Sequence, residues 1–261
     1  MELSLKGKRA LVCGSTQGIG KASAIELAAL GASVTLVSRD KVKLKAVLKE
    51  LQQEKGQEHD SIAADFNFPE RLASSLEKYV GTHTVHILVN NTGGPPAGPV
   101  FIASLEEFTK AFTNHLLCNQ VLVQALVPGM KKEKYGRIIN IISTSVKIPI
   151  KGLGVSNTIR GAVANWSKTL ASELGSSGIT VNNVLPGASM TGRLELIIRD
   201  RATKQKKTQE QVMEEMIGEI PAGRISSAAE VAAAVAFLAS PAAAYINGVN
   251  LPVDGGRTGS L

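Results

Sequence analysis

The chain has 261 residues, 44% hydrophobic and 20% charged, with a formal charge of +7. That composition allows one substantial core, and without a composition break it is read as a single α/β domain over residues 1–261. Two cysteines, Cys13 and Cys118, make no disulfide framework and match no metal spacing, so both are expected as buried free thiols. Basic residues are dispersed and interleaved with acids, which argues against a nucleic-acid partner and suits an enzyme of polyanionic cofactors or acidic substrates. The opening M-E-L-S-L-K-G-K-R lacks the apolar core of a signal peptide, and the alanine-rich run at 231–240 stops at Pro241. A cytoplasmic protein with no membrane partner is expected.

Residues 10–13 read as a short buried strand and 21–30 as a helix, joined by G-S-T-Q-G-I-G at 14–20. Glycines there let the backbone approach a pyrophosphate, while the N–H groups and dipole at the helix N-terminus favour negative charge. Gly14, Ser15, Gln17, Gly18, Ile19 and Gly20 are therefore the expected cradle of a dinucleotide, against the alternative of an ordinary glycine loop. A second strand, 33–38, ends in Arg39, nineteen positions after Gly20, where an arginine accommodates a 2′-phosphate. That favours NADP(H) over NAD(H), although Asp40 stands beside it. Lysines at 41, 43, 45 and 49 form the solvated face of a helix whose apolar side runs to Leu51.

A third strand at 61–64 delivers Asp65 to its carboxyl end, and Pro69 opens a helix to about residue 79. A fourth strand, 85–89, runs into N-N-T-G-G, a sequence that bends easily and approaches a ligand closely. One long helix is predicted over 104–130, opened by a Ser104/Glu107 capping box. The near-continuous apolar strand at 136–142 presents Ser143 at its end. A helix at 155–176, a strand at 180–185, and a Pro186-Gly187 turn towards Thr191 follow. The polar helical stretch at 194–218 looks lid-like, and a helix at 228–239 and a strand at 250–253 close the chain.

In order and at these spacings, the pieces G-S-T-Q-G-I-G, V-N-N-T-G, G-R-I-I-N-I-I-S, N-N-V-L-P-G-A-S-M-T and P-V-D-G-G resemble the short-chain dehydrogenase/reductase family, specifically its 3-oxoacyl-carrier-protein-reductase-like group. The resemblance implies a Rossmann-type, doubly wound, seven-stranded parallel sheet with helices on both faces. It implies a nicotinamide over Ser143, a small carbonyl or alcohol substrate, acidic or acyl-thioester in kind, and a homotetramer. It further implies that Asp65 contacts adenine, that Asn91 to Gly93 line the adenosine side, and that Pro186, Gly187 and Thr191 cover the nicotinamide.

The catalytic positions depart from the pattern. Family members carry an Asn in the long helix, the strand-end Ser, and a Tyr-x-x-x-Lys pair beginning thirteen residues after that Ser. Here Ser143 is kept, the Tyr position holds Ser156, the Lys position holds Arg160, and the Asn position falls on His115 with Asn114 beside it. None of the three tyrosines, Tyr79, Tyr135 and Tyr245, has a lysine four residues on to share its helix face. Serine has no accessible titration to replace a tuned phenol, and a guanidinium cannot trade protons, although it can anchor a ribose, polarise a carbonyl or clamp a carboxylate. His115 has the right intrinsic pKa for a substitute acid, while a histidine inside a long helix is more often a packing residue. Lys147 and Lys151 read as binders of an acidic substrate or as solvated loop lysines. Two functions follow: an NADP(H)-dependent oxidoreductase, or a weak or inactive nucleotide-binding homologue serving as sensor or oligomer subunit.

Overall fold

The computed structural model describes residues 1–54 and 56–260. Strand β1 (Arg9–Cys13) leads into helix α1 (Gly18–Ala29), β2 (Ser33–Ser38), α2 (Lys41–Leu48), β3 (Asp60–Ala63), α3 (Pro69–Val80) and β4 (Ile87–Asn90). The second half comprises α4 (Leu105–Phe112), α5 (Cys118–Lys132), β5 (Gly136–Ile141), α6 (Gly154–Leu174) and β6 (Ile179–Pro186), then α7 (Gly192–Gln205), α8 (Gln209–Gly218), α9 (Ala228–Ala239) and β7 (Asn250–Val253). All strand pairs are parallel, in the order β3-β2-β1-β4-β5-β6-β7. This is the doubly wound, seven-stranded sheet the resemblance implies. Its order reverses between β1 and β4, where a crevice opens at the strands' carboxyl ends.

Each face of the sheet buries its own core, because central parallel strands are apolar on both sides. One core packs Leu27, Leu44, Val235 and Leu238 of α1, α2 and α9 against Val12, Val34, Val89 and Ile139. The other packs Leu72, Leu76, Leu122, Leu126 and Leu174 of α3, α5 and α6 against Leu11, Leu88, Ile138 and Val181. Cys13 and Cys118 are buried free thiols in this second core. Among the described residues no helix is long and apolar enough to cross a membrane.

Three elements differ from the sequence reading. The first helix begins at Gly18 rather than residue 21, so Gly20 lies within its first turn. The long helix is interrupted by a π-turn at Thr113–Leu117. The polar stretch is two helices, divided at Lys206, whose backbone is left-handed (φ +55°), and restarted by a Thr208/Gln211 capping box. Leu194, Ile198, Ala202, Val212 and Met216 give α7 and α8 a small core of their own.

Candidate active site

The turn after β1 is built by close contact. A Cβ at Gly14 (φ +58°) would stand 2.6 Å from the Asn91 carbonyl oxygen, and one at Gly20 would strike the carbonyl of Gly14. Asn91 ties the turn to β4 by donating from Nδ2 to the Cys13 and Gly14 carbonyls, each at 3.3 Å. The N-terminus of α1 has no side-chain cap and no acidic residue in its first turn. Its N–H groups therefore stay available to a phosphate, which is the fit a dinucleotide requires.

Gly14, Gln17, Gly18 and Ile19 line a cleft of about 690 Å³, together with Arg39, Asp65, Asn91, Gly93, Pro186, Gly187 and Thr191. Ser15 and Gly20 do not line it: Ser15 is buried, with Oγ donating to the Val37 carbonyl, and Gly20 lets the helix close on the turn. Arg39 is exposed at the end of β2. Asp40 is occupied elsewhere, since one carboxylate oxygen accepts from the N–H groups of Val42 and Lys43 and caps α2.

At the other end of the cleft stand Ser143, Ser156 and Arg160. Ser143 follows β5 and its Oγ accepts from Ser145 N–H at 3.1 Å. Ser156 and Arg160 lie one turn apart on α6, so both face the cleft. Arg160 is 8% exposed and donates from Nη1 to the Ile141 carbonyl at 2.9 Å. Burial first, then the charge of Arg193, pushes its pKa down to about 10.

His115 is not brought to the cleft. It is buried behind Thr92, whose hydroxyl is hydrogen-bonded to Nδ1 at 2.6 Å, while its neighbour Asn114 lines the cavity. Burial and then the Arg160 charge hold its pKa well below the usual value, against a smaller opposing effect of a hydrogen bond with the Gly93 backbone. The shift favours the neutral ring.

Sequence reasoning missed Arg193, Arg201 and Arg257, which also line the cleft. Arg193 and Arg201 sit eight residues apart on α7, a spacing that shares a helix face, but their stretch read as polar surface. An adjoining cavity of about 720 Å³ shares Arg201 and Arg257 with the cleft and adds Lys151.

A doubly wound parallel sheet with a glycine turn at its reversal point, an uncapped helix N-terminus and polar side chains across the crevice defines a Rossmann-type dinucleotide-binding fold. Residues 14–258 match the family model described as enoyl-(acyl carrier protein) reductase. The chain is 33% identical over 256 residues to the 3-oxoacyl-[acyl-carrier-protein] reductase FabG of Pseudomonas aeruginosa, covering 97% of this chain and 98% of that one. Among solved structures it is similar to YwfH, an NADPH-dependent reductase involved in bacilysin biosynthesis (TM-score 0.92, 29% identity, 97% and 99% of the two chains). It is also similar to L-sorbose reductase from Gluconobacter frateurii complexed with NADPH and L-sorbose (TM-score 0.92, 28% identity, all of both chains, 100%). The chain belongs to the short-chain dehydrogenase/reductase family.

Proposed function

We propose that this protein is an NADP(H)-dependent oxidoreductase that interconverts a small carbonyl compound and its alcohol, 3-oxoacyl reductase-like in kind. The observation that carries the reading is the continuity of one cleft from the uncapped N-terminus of α1 and Arg39 to Ser143, Ser156 and Arg160. The NADP-type coenzyme named in the sorbose reductase structure supports it. When bound, the nicotinamide supplies or takes up the hydride.

Gly14, Gln17, Gly18 and Ile19 would hold the pyrophosphate, with Ser15 and Gly20 shaping the turn. Arg39 would hold a 2′-phosphate, Asp65, Asn91 and Gly93 the adenosine, and Pro186, Gly187 and Thr191 the nicotinamide. Ser143 uses its oxygen to accept from Ser145 N–H, which leaves its own proton for the substrate oxygen. Arg160 acts as a fixed electrophile and ribose anchor, charged throughout because its lowered pKa still lies near 10. Ser156 passes on a proton from water. Without a titrating group at that position, the rate falls short of a tuned relay by about two to four powers of ten, roughly 3–5 kcal/mol. The exposed Phe101 and Leu105 support a homotetramer, which sedimentation velocity tests.

The test is NADPH oxidation followed by absorbance across a carbonyl panel, with fluorescence titration of NADPH and NADH alongside. Turnover should fail in Ser143→Ala and Arg160→Ala, and Ser156→Tyr with Arg160→Lys should raise activity on simple ketones. Activity that survives both single changes overturns the assigned roles. Coenzyme binding without turnover on any carbonyl would leave a nucleotide-binding homologue, and equal affinity for NADPH and NADH would remove the role given to Arg39.

A further inference from the structure

The two ends of the cleft are charged differently. Its only acidic lining residues, Asp40 and Asp65, lie at the adenosine end, and the catalytic end carries Arg160, Arg193, Arg201 and Arg257. Arg257 is answered by Glu219, but Arg160, Arg193 and Arg201 enter no ion pair among the described residues. Arg160 is buried, and its single hydrogen bond, to the Ile141 carbonyl, leaves further N–H donors without a protein acceptor. Arg193 crosses from the first turn of α7 to the loop after β4, where Nη2 donates to the Pro95 carbonyl at 2.6 Å. A buried guanidinium without a counter-charge is unfavourable, and a second cation nearby makes it more so. The protein keeps both in the cleft that Ser156 also lines, a side chain far smaller than the phenol that the family pattern places at that position.

Resting on the coenzyme reading above, we infer that the space left by Ser156 is an oxyanion pocket between Arg160 and Arg193, and that the substrate carries a carboxylate or phosphate close to its carbonyl. A guanidinium has five N–H donors in a planar fork, so Arg160 can hold the Ile141 carbonyl, polarise the reacting oxygen and share the anionic group with Arg193. The coenzyme's phosphates would lie away from Arg160. Their cradle follows β1, whereas Arg160 is anchored at the end of β5. β4 lies between those strands, so the two positions are two strand spacings apart, about 10 Å.

The experiment is calorimetric titration of the protein saturated with NADP+, which forms a ternary complex with an oxidised substrate without hydride transfer. One arm compares acetoacetate with methyl acetoacetate, and the other compares dihydroxyacetone phosphate with dihydroxyacetone. At least one anion should bind about tenfold or more tightly than its neutral partner. That preference should drop below about threefold in Arg193→Gln and in Ser156→Tyr, which fills the pocket without touching the charge, while NADP+ affinity stays within about threefold of wild type. The arm that shows the preference distinguishes carboxylate from phosphate. No preference in either arm overturns the pocket, as does a preference that survives both variants or a loss that merely follows NADP+ affinity. Failure of NADP+ to bind would instead strike the coenzyme reading, and the same pairs titrated into the free protein would then decide the pocket by the same criteria.

Discussion

Replacing Arg160 with methionine keeps most of the side-chain volume and removes a buried cation that no carboxylate answers. The cost of holding that charge exceeds the value of its one hydrogen bond, so the variant should be more stable by about 1–2 kcal/mol in urea unfolding at pH 7, although its turnover is lost. The gain should shrink at high pH. Burial holds the folded arginine's pKa down to about 10, below that of the unfolded chain, so the wild type's penalty for the charge eases as pH rises past that value. His115 works in the opposite range. Its pKa is lowered in the fold from 6.5, so below that pH the unfolded chain takes up a proton that the native ring resists. Stability should fall by about 1.4 kcal/mol per pH unit for each such histidine, and His86, lowered mainly by burial, adds to the slope. His115→Asn should lose less on going from about pH 6.5 to 5, read from unfolding midpoints, and an unchanged slope would place the titration elsewhere.

At the scale of elements, the carboxyl half of the sheet is cross-linked by a row of amides, three of them buried and the edge one half-buried. Asn90 on β4 donates to Asn140 on β5 at 2.8 Å, Asn140 to Asn183 on β6 at 2.9 Å, and Asn183 to Asn250 on β7 at 2.7 Å. All three pairs are in register, so the row fixes how four strands align and therefore where Ser143 and Pro186 emerge. Asn140→Leu would leave the Asn90 donor and the Asn183 acceptor buried without partners. It should destabilise by about 3 kcal/mol in equilibrium unfolding, whereas Asn250→Leu at the sheet edge should cost less. The same scale shows what composition conceals. Gly20 is needed because a Cβ would strike Gly14, a contact that local propensity cannot separate from a turn, so α1 starts three residues before the point its apolar pattern predicts. The π-turn leaves no such mark, since its residues are ordinary helix formers. Its extra residue turns His115 inward and presents Asn114 to the cleft, which placing the Asn position on His115 does not foresee.

For the molecule as a whole, the strands and the glycine turn are legible because most βα units carry a short apolar run with a turn-forming end, while the arrangement of the sheet comes from the family resemblance. The arginine-lined end of the cleft is not legible, because it is assembled from α6, α7 and the C-terminal segment, which only tertiary packing brings together. That assembly concentrates part of the +7 charge at the mouth of one cleft: Arg39 and Lys43 stand at one end, and Arg193, Arg201 and Arg257 at the other. A concave, low-dielectric wall with an excess of positive charge focuses the field and draws in a polyanion, and screening over about 10 Å at 0.1 M salt weakens that pull. Stopped-flow association of NADPH should therefore slow by about tenfold between 10 and 300 mM sodium chloride, while dissociation, governed by contacts inside the cleft, changes by less than about threefold. In Arg201→Ala, which removes a cation at the mouth and no proposed coenzyme contact, the salt dependence of association should be shallower and dissociation unaltered. An association rate indifferent to salt would mean that the arginines serve only what binds after the coenzyme.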